Sequence, residues 1–230
     1  MDILVYIRDG YNEELRYAIR SWCQNLNFDR LCVVSGERPP TWLHPDILIK
    51  NRTHLGKCRQ VCENLRLALI DDRLSEQLLV CMDDTFVLQP IGEWRNGFDY
   101  NRGALRSQWG VGTARYGENS YMCQVRSTYD ALKRKTPEPL SFELHAPFRC
   151  EKTKLLRILM SKNVEFQLWR SLYGNIHNLE TKYLPDLKIA TGKEDLPKGA
   201  LFVSTNDSSF GNGKIGRAIR TLFPTRSRYE

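Results

Sequence analysis

Nowhere in the 230 residues is there an apolar run close to the about 18 residues that a membrane span requires. The N-terminus, MDILVYIRDGYNEELRY, has no basic segment ahead of a cleavable apolar stretch, so no export signal is expected and a soluble, cytoplasmic chain is. The seven cysteines are an odd number and include no Cys-x-x-Cys pair, which argues against a zinc ribbon and against a secreted disulfide framework. Reduced and mostly buried thiols are expected, with Cys58 and Cys62 one helical turn apart. The chain lacks Gly-x-Ser-x-Gly, which removes the serine-hydrolase signature. It has no RNP, zinc-finger or helix-turn-helix pattern either. Internal repeats and low-complexity linkers are also missing, so one continuous domain with C-terminal additions is expected.

What is present is an ordinary globular balance, 41% hydrophobic and 27% charged residues. Lys and Arg number 34 against 27 Asp and Glu, a formal charge of +7. That excess suits a nucleic acid, an anionic membrane face, a phosphorylated substrate, or no partner at all.

The hydrophobic pattern alternates between strands and helices. Ile3–Ile7, Leu31–Val34, Ile47–Ile49 and Leu78–Met82 have the composition of buried strands. Asn12 is placed to cap a helix carrying Leu15, Ala18, Ile19 and Trp22 on one face. A second helix is predicted over Gly56–Ile70, and others over Ser127–Lys135, Lys152–Met160 and Ile215–Leu222. Asn96–Tyr121 has the composition of loops or irregular strands, and residues 186–205 carry only weak strand signals. This order predicts an α/β fold with a mostly parallel sheet, in which ligands bind beyond the carboxyl ends of the strands. Arg8-Asp9 would end the first strand and Asp83-Asp84 the fourth; if those strands are neighbours, both pairs face one crevice.

Asp83-Asp84 carries the most chemistry. Adjacent carboxylates at the end of an apolar strand are costly unless a cation or strong donors meet them. Mg²⁺ or Mn²⁺ with a diphosphate is one answer, and an ordinary acidic turn is the other. Glu143 and His145 share a face if their segment is extended. They could supply a base and a metal ligand, or be a core histidine beside a surface glutamate. Lys57 and Arg59 follow Gly56 at a helix start, which can hold phosphate or simply be a solvated basic end; no P-loop or Gly-x-Gly-x-x-Gly spacing accompanies that glycine. Lys214, Arg217, Arg220, Arg226 and Arg228 form a C-terminal basic cluster with solvated surface as the default.

Several runs carry a family resemblance: Glu14–Ser21, Val33–Gly36, Pro40–Leu43, Cys81–Val87, Phe142–Pro147, Leu172–Asn175, Ser204–Phe210, and the ending Phe223-Pro224 with Ser227–Glu230. Their content and order resemble GT-A type (Rossmann-like) glycosyltransferases encoded by bacteriophages of actinobacteria, and more distantly the Stealth sugar-phosphate transferases. The resemblance covers nearly the whole chain. It implies a metal-dependent hexosyltransferase that moves a sugar from a nucleoside-diphosphate sugar, a UDP-sugar first among the donors. Residues 1–95 would hold the nucleotide-sugar and 96–230 the acceptor side. The acceptor would be a capsid or tail protein in the host cytoplasm. The family's Asp-x-Asp motif falls on Met82-Asp83-Asp84, with Asp84 as ligand of Mn²⁺ or Mg²⁺ and its diphosphate. Met82 replaces the first Asp, so either Asp83 takes over its contacts or the register differs by one. His145 matches a further metal ligand, Arg8 and Asp9 the nucleoside region, and Lys57 and Arg59 the phosphate-contacting helix start. If the reaction inverts the sugar, Glu143 is a candidate base. A sugar-1-phosphate transferase of Stealth type and a non-catalytic basic module for nucleic acid or glycan are the alternatives. The latter would bind in a salt-sensitive way without Asp83 and Asp84.

Overall fold

A computed structural model describes residues 1–92, 100–108 and 121–230. Its centre is a five-stranded sheet built from β1 (Asp2–Tyr6), β2 (Leu31–Ser35), β3 (Ile47–Lys50), β4 (Gln77–Cys81) and β7 (Phe148–Glu151). The strands lie in the order β3-β2-β1-β4-β7. The first four run parallel; β7 is antiparallel to β4, with Leu78 opposite Cys150. The α/β expectation with a mostly parallel sheet therefore holds, in a Rossmann-like strand order.

Alternation along the strands makes two cores. Ile3, Val5, Val33, Leu79 and Cys81 face one side with Leu15, Ile19 and Trp22 of α1 (Glu13–Asn25). Leu4, Cys32, Val34, Leu78 and Val80 face the other, with Leu65, Ala68 and Leu69 of α2 (Lys57–Leu69). Strands buried on both faces must be apolar at every position, which is why they stand out as short continuous runs. On the α2 side the layer is completed by α3 (Tyr121–Leu132), α4 (Lys152–Leu159) and α5 (Trp169–Ile176). On the α1 side it is completed by α6 (Asp207–Gly211) and α7 (Lys214–Leu222).

Two short pairings flank the main sheet. β5 (Thr85–Val87) pairs antiparallel with β9 (Phe202–Ser204), and β6 (Tyr100–Asn101) pairs with β8 (Lys182–Tyr183). α1 ties down β5: Trp22 Nε1 donates to the Thr85 carbonyl at 2.9 Å and Asn25 Nδ2 to that of Val87 at 2.7 Å.

Some elements differ from expectation. The helix expected over Ser127–Lys135 begins at Tyr121 and ends at Leu132. β7, whose four residues alternate apolar and polar, and α5 lie outside the elements expected from the sequence. Most of Asn96–Tyr121 lies outside the described residues. The spacing Gly211-x-Gly213-x-x-Gly216 does occur, but it follows helix α6 rather than a strand. A Cβ on Gly216 would lie 1.7 Å from the Phe210 carbonyl oxygen, and one on Gly213 2.1 Å from that of Ser209. These glycines let α7 press against the backbone of α6, so the spacing is a packing device and not a dinucleotide loop. None of the seven cysteines forms a disulfide; Cys32, Cys62, Cys81 and Cys150 are buried, while Cys23 and Cys123 are exposed.

Candidate functional site

β1 and β4 are direct neighbours, with Val5 opposite Cys81, so the turns that follow them share one end of the sheet. Asn12 joins these turns. Its Oδ1 caps α1 by accepting from the Leu15 N–H at 2.9 Å, and its Nδ2 donates to Asp83 Oδ2 at 2.7 Å. A residue chosen for helix capping thus also holds the first carboxylate of the pair. Arg8 and Asp9 line a cavity of about 410 Å³ together with Tyr11, Glu14 and Asp207. Arg8 pairs with Asp207 at 3.2 Å, both side chains being exposed.

Carboxylates crowd this end of the sheet. Glu14 is 8% exposed. Burial first, then the negative charges of Asp84, Asp207 and Asp83, push its carboxyl up to about 7 against the opposing Thr205 hydrogen bond. Burial also raises Asp83, with Asp84 adding to the effect, while Asn12 and Arg8 counter it. Buried like charges that raise one another call for a positive partner. Lys188 supplies one, its Nζ lying 2.5 Å from Asp84 Oδ2 and 3.1 Å from Ser204 Oγ. Asp84 Oδ1 is buried without a hydrogen-bond partner among the described residues.

His145 lies in the segment leading to β7 and lines a second, mostly apolar cavity of about 450 Å³ with Leu184, Asp186 and Phe202. Its Nδ1 is 2.9 Å from Asp186 Oδ2. Burial pulls the Asp186 carboxyl upward, but its contacts with His145 and the charge of Arg102 prevail and hold it below its ordinary value. Glu143 points inward: Oε1 accepts from the Ser171 N–H at 3.1 Å and from its hydroxyl at 2.9 Å. Burial raises its carboxyl, opposed by the charge of Arg170 and the Ser171 bonds. Burial pushes the Tyr6 phenol up to about 12, with the charges of Asp83, Glu143 and Asp84 adding to the effect and Arg170 opposing it.

The structure thus brings Arg8, Asp9, Asp83 and Asp84 to one end of the sheet. Lys57 and Arg59 are exposed at the start of α2, beyond β3, and neither lines the Arg8 cavity. The Arg59 guanidinium sits 5.7 Å from the Phe166 ring centre. The C-terminal basic cluster is largely engaged in the fold. Arg220 pairs with Glu13 at 2.8 Å, Lys214 with Asp195 at 3.2 Å, Arg217 donates to the Asn212 carbonyl, and Arg228 to that of Asp29.

The expected cation can be tested against these donors. Among the described residues, no group of three or more His, Cys, Asp or Glu side chains forms a ready-made metal cage. The unpartnered Asp84 Oδ1 nonetheless offers a hard oxygen ligand amid excess negative charge, and His145 offers a ring nitrogen backed by a carboxylate. Mg²⁺ and Mn²⁺ take few protein ligands when substrate phosphates and waters complete the shell, so the unpartnered Asp84 oxygen fits such an ion, while His145 lines a different cavity from the one that holds Arg8 and Asp9. Glu14, Asp186, Lys188 and Asp207 escaped the sequence reading, since each gains its partner only through the fold. No protein-family model matches the chain, and no curated protein matches it.

Proposed function

We propose that this chain is a GT-A type glycosyltransferase that binds a nucleoside-diphosphate sugar beyond the carboxyl ends of β1 and β4. The observation carrying this reading is the neighbouring of those two strands, which sets Arg8 and Asp9 beside Asp83 and Asp84. Nucleotides bind at this end of open parallel sheets. The resemblance of the acidic motif and of the ordered runs along the chain supports the same reading.

In the proposed mechanism, Asp84 and His145 would hold a divalent cation, Mn²⁺ or Mg²⁺. When bound, the ion stabilises the charge that develops on the departing diphosphate. Arg8 adds positive charge at the mouth of the cavity. Asp83, gripped by Asn12, orients the donor. Glu143 is the proposed base if the sugar is inverted: burial raises its carboxyl, which makes it a stronger proton acceptor for an acceptor hydroxyl. The resemblance points to a phage capsid or tail protein as acceptor.

The test is calorimetry with UDP, GDP and ADP in the presence of Mn²⁺, on the wild type and Asp84→Ala. Metal-dependent binding that is lost in the variant supports the reading. Equal binding by both proteins removes Asp84 from the site. Product analysis then separates a glycoside from the phosphodiester that a sugar-1-phosphate transferase would make.

A further inference from the structure

Asp186 and Lys188 stand two residues apart on the stretch that runs beside β9, where Lys188 bridges Ser204. Lys188 meets Asp84 and Asp186 meets His145, so one short segment touches both proposed cation ligands. The Asp186 contact is the more constrained of the two. Asp186 is 7% exposed. Its Oδ1 accepts from the His145 backbone N–H at 2.8 Å, and the ring Nδ1 lies 3.1 Å from Oδ1 and 2.9 Å from Oδ2. An ionised carboxylate can only accept hydrogen bonds, so the ring nitrogen facing it must carry the hydrogen.

The backbone around the imidazole is held as firmly. Arg170, 2% exposed, donates Nη1 to the Leu144 carbonyl at 2.6 Å and to the Ala146 carbonyl at 3.4 Å. These are the carbonyls on either side of His145. One residue further back, Ser171 secures Glu143. A buried guanidinium spent on two loop carbonyls is a costly arrangement for mere connection, and it is the kind of support that fixes a functional side chain.

We propose that Asp186 is a positioning residue: it holds His145 in the Nδ1–H tautomer and so presents Nε2 as an electron-pair donor to the divalent cation. The proposal rests on the reading of His145 as a ligand given above. It makes a sharp prediction for the isosteric variant Asp186→Asn. The His145 backbone N–H still requires an acceptor, so the amide oxygen must stay at the Oδ1 position. The amide NH₂ then falls where Oδ2 was, 2.9 Å from Nδ1 in the native chain. It donates best to an unprotonated Nδ1, and an Nδ1–H keeps only the longer 3.1 Å contact to the amide oxygen, so the balance shifts toward the Nε2–H tautomer. The lone pair offered to the cation is correspondingly withdrawn without a change of shape.

The experiment uses the full chain labelled with ¹⁵N-histidine, with long-range ¹⁵N–¹H spectra recorded at about pH 8.5, where an ordinary imidazole is neutral. The His145 signals are assigned by their loss in His145→Gln. Mn²⁺ affinity is measured in parallel by electron paramagnetic resonance in the presence of UDP. The expected results are an Nδ1–H tautomer in the wild type, a shift toward the Nε2–H tautomer in Asp186→Asn, and Mn²⁺ binding about 10–100-fold weaker in that variant. Asp186→Glu should recover part of the affinity. An Nε2–H tautomer in the wild type overturns the proposal, a result that needs no variant to fold. Wild-type Mn²⁺ affinity in Asp186→Asn, with loss in His145→Ala, also overturns it while leaving His145 a ligand. Undiminished affinity in His145→Ala instead removes the ligand reading itself, and the proposal with it.

Discussion

Lys188 closes on Asp84 across 104 residues of sequence, its ammonium 2.5 Å from Oδ2, while the other carboxylate oxygen is buried with no partner among the described residues. The lysine therefore pairs one carboxylate oxygen and leaves the other without a hydrogen bond. Burial first, and then the charge of Asp84, raise the carboxyls of Asp83 and Glu14 beside it.

Replacing Lys188 with Met tests this balance. Asp84 would lose the close cation it has among the described residues, in a half-buried setting, and stability should fall by about 1–2 kcal/mol, less than for a fully buried pair because both side chains keep some exposure. A divalent ion should then take the vacated place. Thermal melts with and without Mn²⁺ are expected to show a larger rise in Tm for Lys188→Met than for the wild type. A variant indifferent to Mn²⁺ would count against Asp84 as a cation ligand.

Glu14 offers a second test, through pH. Its folded-state carboxyl titrates at about 7 and would return to about 4.3 in an unfolded chain. Between these values the folded state binds more protons than the unfolded state. Its contribution is therefore intact below about 4.3, and stability is lost as pH rises toward 7. Gln at this position cannot ionise. Glu14→Gln should match the wild type near pH 4 and exceed it by an amount approaching 3 kcal/mol at pH 8, as measured by urea unfolding across that range. A difference that does not change with pH would disprove the assignment.

The parts of this molecule visible in the sequence were those set by local rules. Asn12 as helix cap, the continuous apolar strands, and α2 through Val61, Leu65, Ala68 and Leu69 follow from spacing and propensity alone. Asp83 and Asp84 stood out because carboxylates at a strand end violate the local pattern. Asp186 and Lys188 did not, since an acidic and a basic residue in a Pro-containing loop are unremarkable until the fold brings His145 and Asp84 to them, 41 and 104 residues away. β7 does alternate, with Phe148 and Cys150 buried and Arg149 and Glu151 between and after them, but four residues are too short a run to stand out, and its antiparallel place beside β4 is set by that strand's edge.

The chain's last residue is tied into the core by charge, which yields a stability prediction remote from the site. The Glu230 side chain meets Arg20 with two bonds, 2.8 Å to Nε and 2.7 Å to Nη2, and the two side chains are 4% and 8% exposed. Burial opposes its ionisation, but Arg20 and the Ser227 N–H outweigh that and hold the carboxyl below its ordinary value. Glu230→Ala strands a buried guanidinium that keeps the carbonyls of Phe223 and Pro224 and the Tyr17 ring, 4.5 Å away, but no carboxylate bond. The expected loss is about 3 kcal/mol by chemical denaturation. A loss below about 0.5 kcal/mol would show that the pair behaves as a surface contact.

Gly174, on α5, links helix packing to the site. A Cβ there would lie 2.4 Å from Cζ of Phe142 and 2.5 Å from both Cε atoms, so the ring lies flat against the bare helix backbone. Phe142 is itself 2% exposed, and its N–H donates to the Ser171 hydroxyl that also secures Glu143. Gly174→Ala must push the ring away and carry residues 142–143 with it. The expected cost is about 1–3 kcal/mol, whereas Gly211→Ala, where a Cβ meets open space, should be close to neutral. Trimming the ring provides the decisive comparison. Adding Phe142→Leu to Gly174→Ala relieves the clash that the alanine creates, so the double variant should lose less stability than the two single losses summed, with a coupling of about 1 kcal/mol. Strict additivity would mean that the alanine is accommodated elsewhere, and that α5 does not set the position of Glu143 through this ring.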